Sequence, residues 1–583
     1  MNLKYFIGCI FCINIVLLLS QSNEVNIALT YDEDREDLPK IKVKESHNTL
    51  FEVKQDLADL LIDLRAKGFL EASIDTFITI DSLNYEVPLY LGQKYQWSYL
   101  KSGNLKGEIL SKINFKPFKY DGKPFSFDEI NHQLNKIVEY YENKGYPFAQ
   151  ARLDSMSIDN GSIYSGIYVE PNEYIIIDSI VVHGNTNTKT AFLQNYLQIF
   201  KGDPFQQKKI DNIERRLRQL PYLKMTQIPE VIFKPGVATL HIYLQKERSN
   251  QFNFIVGVLP NTELQDRNLT ITGDGVLHLQ NSFGVGEEIF AEFKQIRPQT
   301  QNLDVSFMYP YLLNLPLGVT GAFQLFKNDT LFVNLDAELG IMYQLGGMNH
   351  FKAFYHNTTS SVLNYDTAVI RRSEELPEVL DVRNNSYGLS LNLQNLDYVL
   401  NPRKGYHFNI AASVGSKSIR KSPTITSLED DSGNSLESLY DDIDLQTITY
   451  QLKLHAQCFI PLRKRSTFLV QNITRAFVAK NIFMNEKYRI GGSKLMRGFD
   501  EESIFTPFFS ISTVEYRFLL SQNSYFNTFV DIGVVEDTRF GAGSIDVPIG
   551  FGAGLALETK GGIFSLAYAL GRQLDNSIEF RNG

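Results

Sequence analysis

Apolar positions recur along the chain with two different periods, and the change falls near residue 250. In the first part, Leu50, Val53, Leu57, Leu60, Leu61 and Leu64 are spaced three to four residues apart, on one face of a helix. Gly68 ends that helix, and a strand-like run over 74–80 follows. Ile130, Leu134, Ile137, Val138 and Tyr141 repeat the stripe, Gly145 stops it, and strand-like runs over 149–158 and 162–170 follow. A third copy reads as a strand over 175–183, helices over 190–200 and 210–220, and strands over 224–233 and 237–245. Lys67-Gly68-Phe69, Lys144-Gly145-Tyr146 and Leu220-Pro221-Tyr222 each close a helix and set an aromatic at the next strand, at a spacing of roughly 75 residues. Three small α+β modules in tandem are the expectation. Their sheet edges suit pairing with an extended peptide; the alternative is that the modules are spacers.

From Gln251 the period is two. Phe252, Phe254, Val256 and Val258 alternate with Asn253, Ile255 and Gly257. Similar runs lie over 303–309, 319–326, 331–343, 387–393, 406–412, 448–459, 468–478, 509–519, 526–534, 550–557 and 563–570, with no helix of any length between them. This pattern predicts an antiparallel barrel or sandwich. Many runs reach the ~9–11 residues of a tilted membrane strand. Phe526, Val530 and Ile532 share one face, and Asn527, Phe529, Asp531 and Gly533 the other. Likewise Val514, Tyr516, Phe518 and Leu520 oppose Thr513, Glu515 and Arg517. A soluble barrel turns the apolar face inward and a membrane barrel turns it outward, and the period alone does not choose. The stretch Ile271-Thr272-Gly273-Asp274-Gly275 reads as a hairpin turn. Residues 416–444, rich in Ser, Asp and Glu, read as a disordered surface insertion with no role.

Composition tilts the choice. The chain has 583 residues, a net charge of −9, and 41 Phe and 30 Tyr against one Trp. Its mean hydropathy of −0.18 looks soluble, but alternating strands average to the same value. Lys4 followed by an apolar run over 6–19 and the small exit Ser20-Gln21-Ser22 reads as a signal peptide, so the mature protein is exported. Export and abundant Phe and Tyr near strand ends favour the membrane reading. The acidic chain shows no basic stripe, so no nucleic-acid partner is expected. Cys9 and Cys12 fall in the leader, which leaves Cys458 alone and excludes an intrachain disulfide or a cysteine-built metal or redox site. The nine His are scattered, and no nucleophile elbow or phosphate loop is visible, so neither a cofactor nor an enzymatic activity is expected.

Between two strand runs lies Gly491-Gly492-Ser493-Lys494-Leu495-Met496-Arg497-Gly498-Phe499. Val514-Glu515-Tyr516-Arg517-Phe518 and Phe529-Val530-Asp531-Ile532-Gly533 follow it, and Asn401-Pro402-Arg403-Lys404-Gly405-Tyr406 precedes it. In this order, after three modules and a leader, the chain resembles the BamA/TamA superfamily of outer-membrane assembly barrels, the bacterial surface antigen family, and is closest in size to TamA. The resemblance covers essentially the whole mature chain. It implies N-terminal α+β POTRA modules followed by an all-β transmembrane antiparallel barrel of about sixteen strands. The implied division is a signal peptide over 1–22, modules over 23–97, 98–172 and 173–249, and a barrel over 250–583 whose loop 484–504 folds inward. Strand counting gives about fifteen, and only 577–583 remain for the sixteenth, so the last strand reads as short or missing.

The resemblance also implies site residues. Met496-Arg497-Gly498-Phe499 matches the family's tetrad on the inward loop, and Phe529 to Gly533 its Phe-x-Asp-x-Gly strand. An Arg in a lumen needs partners, and its fork suits carboxylates. Arg497 is therefore expected to pair with Asp531 and Glu515, with Gly498 allowing close approach and Phe499 packing on the inner wall. The alternative is an exposed Arg497 and a solvated Asp531. A lateral seam is expected between the first and last strands, with Phe252, Phe254 and Val256 on one side and Ile578 and Phe580 on the other. The implied function is insertion of barrel or autotransporter-like clients from the periplasm through that seam. A two-partner-type secretion pore and a passive porin-like surface antigen are the alternatives. Implied partners are outer-membrane lipid and unfolded outer-membrane clients; a periplasm-spanning inner-membrane partner stays open.

Overall fold

The computed structural model describes residues 24–31, 39–260, 269–297, 300–430, 433–493, 495–536, 543–559, 562–572 and 579–580. The expected signal peptide and Ile578 lie outside them. The chain forms two compact units, one running to Ile176 and the other from Ile177 onward, with short exchanges at 204–207 and 234–237.

In the first unit, β1 (Val25–Thr30) runs parallel to β2 (Asn84–Pro88), under α1 (Leu50–Ala66). Thr49 caps α1 by accepting from the Glu52 amide at 3.2 Å, and Val53, Leu57, Leu60 and Leu64 form its buried face. The strand-like run over 74–80 shrinks to Ile78–Thr79 and a bridge from Ser73 to Tyr90. Ile78 and Ile80 are exposed there, with no core to cover, so the apolar residues do not enforce a strand. A second layer follows: β3 (Gln96–Lys101), α2 (Gly107–Lys112), α3 (Phe127–Glu142), β4 (Gln150–Asp159) and β5 (Ser162–Glu170). Strand β5 is central, parallel to β3 and antiparallel to β4. Trp97, Phe125, Ile130, Ile137, Ile163 and Ile167 make its core.

The second unit opens with β6 (Ile176–His183), α4 (Thr190–Leu197), α5 (Gln207–Asp211), α6 (Ile213–Leu217), β7 (Leu223–Lys234) and β8 (Val237–Lys246), with β8 central in its sheet. The helix expected over 210–220 is broken at Asn212. Its amide donates back to the Lys208 carbonyl (2.6 Å) and its oxygen accepts from Arg215 (2.7 Å), competing with the helical ladder. Burial holds the Tyr196 phenol well above its usual range, so it acts as a neutral donor to the Arg216 carbonyl at 2.9 Å.

A single antiparallel sheet follows. Its strands are β9 (Gln251–Pro260), β10 (Leu269–Gln280), β11 (Glu288–Arg297), β12 (Thr300–Tyr309), β13 (Leu317–Asn328), β14 (Phe332–Gly346), β15 (Asn349–Val362), β16 (Val382–Leu396), β17 (Gly405–Ile419), β18 (Gln446–Arg463), β19 (Ser466–Val478), β20 (Phe508–Leu519), β21 (Tyr525–Glu536), β22 (Ile549–Thr559), β23 (Gly562–Arg572) and β24 (Glu579–Phe580). Each pairs with the next in sequence order, and Ile545–Asp546 adds a short piece beside β21 at the end of β22. The sixteenth position is thus held, among the described residues, by a two-residue strand on Leu570 and Gly571. The expected hairpin turn at 271–275 is instead the middle of β10, with Gly273 opposite Val256 and Gln295. Glycine and aspartate there mimic turn chemistry, but neighbouring strands on both sides satisfy the backbone.

The sheet curls into a barrel around the segment between β19 and β20. Arg489 in that segment lies 3.3 Å from the Phe326 ring centroid on β13, while Gly498 packs on Leu570 and Gly571 of β23. Strands ten positions apart meet one loop only if the sheet wraps it. Outward faces carry exposed Leu339, Ile341, Tyr387, Tyr450, Val530 and Leu566. Inward faces carry Glu338, Lys352, His356, Thr513, Glu515 and Asp531, several joined by ion pairs. Apolar outside and polar inside is the membrane arrangement. No helix among the described residues is long and apolar enough to cross a membrane.

The module formed by β6 to β8 sits on the turns at one barrel end. The Lys189 amide donates to Gly284 (2.8 Å), Asn281 donates to the Thr188 hydroxyl (2.8 Å), and Gln219 donates to the Leu396 carbonyl (3.2 Å). At the opposite end, the insertion expected to be disordered is folded, which corrects that reading. Ile425, Leu436 and Tyr440 are buried with Ile370, Leu380, Val382 and Ile419, so two loops share an apolar core. These few apolar residues are diluted by Ser, Asp and Glu, which hid them. The fully buried Lys417 ammonium donates to Glu486 at 2.5 Å and to the Asn481 carbonyl at 2.7 Å, tying a third loop to this cap. Lys417→Met leaves the Glu486 carboxylate buried and unpaired, which weakens the cap by about 3–5 kcal/mol. Protease added to the membrane-embedded protein should then cut within 420–445 faster, with the barrel still folded by its gel mobility. Equal cutting rates would refute the ion pair's role.

Candidate functional site

The segment between β19 and β20 is built to turn inward. Tyr488–Ile490 pairs with Ile504–Thr506 as a short hairpin, and beyond it the Gly492 amide donates to the Phe499 carbonyl at 3.1 Å. Ile490 and Met496 are buried with Phe509, Ile511 and Val535 of the wall, with Leu495, Phe499 and Ile504 packed alongside. This apolar contact carries the tip of the loop into the lumen beside β20 and β21.

There Arg497 meets both carboxylates. Its Nε donates to Asp531 Oδ2 at 2.8 Å and its Nη2 to Asp531 Oδ1 at 2.7 Å, a two-pronged fork. Its Nη1 donates to Glu515 Oε2 at 2.7 Å, and its own amide to Asp531 Oδ2 at 3.2 Å. The guanidinium carbon lies 3.4 Å from the Phe529 ring centroid. Asp531 is 1% exposed and Glu515 is 4% exposed, so neither is a solvated charge. Glu515 also accepts from Arg517 Nε at 2.7 Å, and Asp531 from the Thr513 hydroxyl at 2.8 Å. Two cations thus face two carboxylates, each carboxylate with several donors. That is the condition under which buried charge is tolerated.

The backbone fit is as close as the charge fit. Gly498 has φ 92°, and a Cβ there would lie 2.5 Å from the Leu570 carbonyl carbon. Across from it, a Cβ on Gly550 would lie 2.0 Å from the Arg497 oxygen, and one on Gly571 2.2 Å from the Gly498 oxygen. Gly533 faces Pro548, whose oxygen accepts from the Gly533 amide at 2.8 Å.

The structure brings Arg497, Gly498, Phe499, Glu515, Asp531 and Gly533 together. It does not bring together the expected seam. Phe252 and Phe254 are exposed on β9, where they face Leu277 and Gly275 of β10, and Val256 faces Gly273. Phe580 pairs with Leu570, and among the described residues no ladder joins β24 to β9. Sequence reasoning missed Arg517, Thr513, Gly550 and Gly571 as members of the site. Arg517 and Thr513 share the polar face of β20 with Glu515, and that alternation was the available signal. Gly550 and Gly571 gave none, because their partner lies some fifty residues or more upstream. Among the described residues no group of three His, Cys, Asp or Glu is placed to hold a metal.

Residues 281–583, more than half of the chain, match the Omp85 superfamily domain. The chain belongs to the Omp85 superfamily. Residues 175–246 match the POTRA family, the surface antigen variable number repeat. The protein is accordingly an outer-membrane Omp85 barrel with its POTRA part in the periplasm. Strands β9 and β10 precede the matched Omp85 stretch. The chain is similar to the outer membrane protein assembly factor BamA of Neorickettsia risticii (strain Illinois), at 20% identity over 250 residues. That match takes in 41% of this chain and only 34%, about a third, of the relative. Among solved structures it is similar to CdiB from Acinetobacter baumannii, with 15% identity, 90% of this chain and 93% of that one covered, and a TM-score of 0.49. It is also similar to BamA from Haemophilus ducreyi lacking POTRA domains 1–3, with 14% identity, 83% and 98% covered, and a TM-score of 0.42.

Arg497→Ala leaves the buried Asp531 without a cation and Glu515 with Arg517 alone, and is expected to weaken loop docking in this Omp85 barrel by about 3–5 kcal/mol. Arg497→Lys should not restore it, because an ammonium cannot span both carboxylates. Gly498→Val should release the tip without touching the charges. Hydrogen exchange over 488–506 reads all three; protection equal to that of the parent protein would refute the arrangement.

Proposed function

We propose that this protein is an outer-membrane assembly factor that takes unfolded clients from the periplasm and inserts them as barrels into the bilayer beside its own wall. The observation that carries this reading is the Arg497 loop. Its tip lies in the lumen against β20 to β23 and is pinned by two buried carboxylates. A client travelling straight through would have to break that cluster, whereas one added at the sheet edge would not. Membership of the Omp85 superfamily supports an assembly or secretion role. Edge addition at β9, near Phe252, Phe254 and Val256, satisfies a client strand's backbone before lipid surrounds it. With no nucleotide outside the cytoplasm, the driving force is client folding and burial in lipid.

The test is insertion of an unfolded test barrel into liposomes with and without the purified protein. The expected result is a several-fold faster rate, reduced by Phe254→Asp on β9. No acceleration would leave a passive porin. A conductance that rises sharply in Arg497→Ala while insertion is unaffected would favour a secretion pore.

A further inference from the structure

The turns at the periplasmic end of the barrel gather cations that the sequence keeps apart. The end is periplasmic because the POTRA module sits on it, with Gln219 reaching the Leu396 carbonyl at the end of β16. The turn between β16 and β17 carries Arg403 and Lys404, and the end of β18 and its turn into β19 read Arg463-Lys464-Arg465. Arg403 Nη2 donates to the Lys464 carbonyl across 61 positions, and the Thr467 hydroxyl donates to the Arg403 carbonyl at 2.8 Å, so the two turns are tied together. Lys404, Arg463, Lys464 and Arg465 are exposed, and among the described residues none of the four forms an ion pair. The single carboxylate on these two turns, Asp397, accepts from the Arg403 and Lys404 amides at 3.0 and 3.1 Å. The next turn, 520–524, carries no charge. Five cations thus stand against one carboxylate in a chain whose net charge is −9.

The wall beside these turns marks their depth. Tyr406 on β17, Ile460 and Leu462 on β18, Phe518 on β20 and Phe526 on β21 are exposed along the outer surface. The Phe468 and Tyr516 rings face each other across β19 and β20, with centroids 5.5 Å apart. Aromatics gathered in this way form the girdle at which a membrane barrel passes from hydrocarbon to headgroups. Arg465 is three residues beyond Phe468, or about 10 Å of extended chain. The headgroup layer is about 5–8 Å deep on each side of the bilayer, so the basic side chains end among the phosphates of the periplasmic leaflet. We infer that this rim binds anionic phospholipid. Arg463 and Arg465 offer planar forks to the phosphate, and Lys404 and Lys464 add point charge. The acyl chains lie along Ile460, Leu462 and Phe518, an apolar surface that a soluble acidic partner would leave uncovered. Lipid held there anchors the depth of the barrel in the bilayer.

The full-length protein in phosphatidylcholine vesicles tests this. The vesicles carry a trace of photoactivatable phosphatidylglycerol or of photoactivatable phosphatidylcholine, and crosslinks are mapped by mass spectrometry. Phosphatidylglycerol is expected to label 460–468 several-fold more than phosphatidylcholine. Each cation contributes up to about fivefold to that ratio. R463Q/K464Q/R465Q should therefore bring it close to one, with the gel mobility of the folded barrel unchanged. R371Q/R372Q, on the helix Thr367–Ser373 in the cap at the opposite end, should leave the ratio as it is. A second measurement needs no variant: at about 1 M salt the screening length falls to about 3 Å, and the ratio in the parent protein should fall with it. Equal labelling by the two lipids in the parent protein would overturn the site and assign the cations to a soluble acidic partner. A preference that survives in R463Q/K464Q/R465Q would overturn it as well.

Discussion

The Arg497 cluster is a buried charge problem that only one loop position solves. Asp531 and Glu515 sit on neighbouring strands of the wall, nearly sealed from water, and each needs cationic donors. Arg517 serves one of them from the same strand. The rest must come from outside the wall, and Arg497 is delivered there by a loop whose apolar residues pack on Phe509, Ile511 and Val535. The loop cannot leave without exposing apolar surface, stranding Asp531 and leaving Glu515 with Arg517 alone. Those penalties act in concert, so the docked state is sharply defined even though the loop is otherwise polar.

The same loop is held at its base by a second buried ion pair. Glu486, near its start, takes Lys417 from the end of β17, and Asn485 donates to Ser360 and to the Leu380 carbonyl. The cap over the barrel mouth and the plug inside it therefore share one segment. The short hairpin of Tyr488–Ile490 with Ile504–Thr506 lies between the two in the chain. At the opposite end the module of β6 to β8 is fixed to barrel turns by hydrogen bonds, the Lys189 amide to Gly284 and the Gln219 side chain to the Leu396 carbonyl among them.

Alternation did most of the sequence's work. With apolar residues at every second position, a strand can satisfy its backbone in a sheet and still present one face to lipid and one to the lumen. That made the strand count and the two faces of β20 and β21 legible, with Glu515 and Asp531 on their polar sides; Arg497 became a candidate only through the family resemblance. Where composition contradicted context, it misled: Gly273 and Gly275 suggested a turn inside β10, and the polar stretch 416–444 concealed Ile425, Leu436 and Tyr440.

The sequence by itself determined which residues carry charge on which strand face, because a period of two fixes facing locally. It also marked the inward loop through a resemblance carried by short motifs. Only the tertiary structure decided how Arg497 divides itself between two carboxylates and that Arg517 completes the set. It likewise showed that Gly550 and Gly571 make room for the loop backbone, and that Lys417 reaches Glu486 across 69 positions. These facts depend on which strands the barrel brings around one loop, and that is set by the curvature of the whole sheet rather than by any local run of residues.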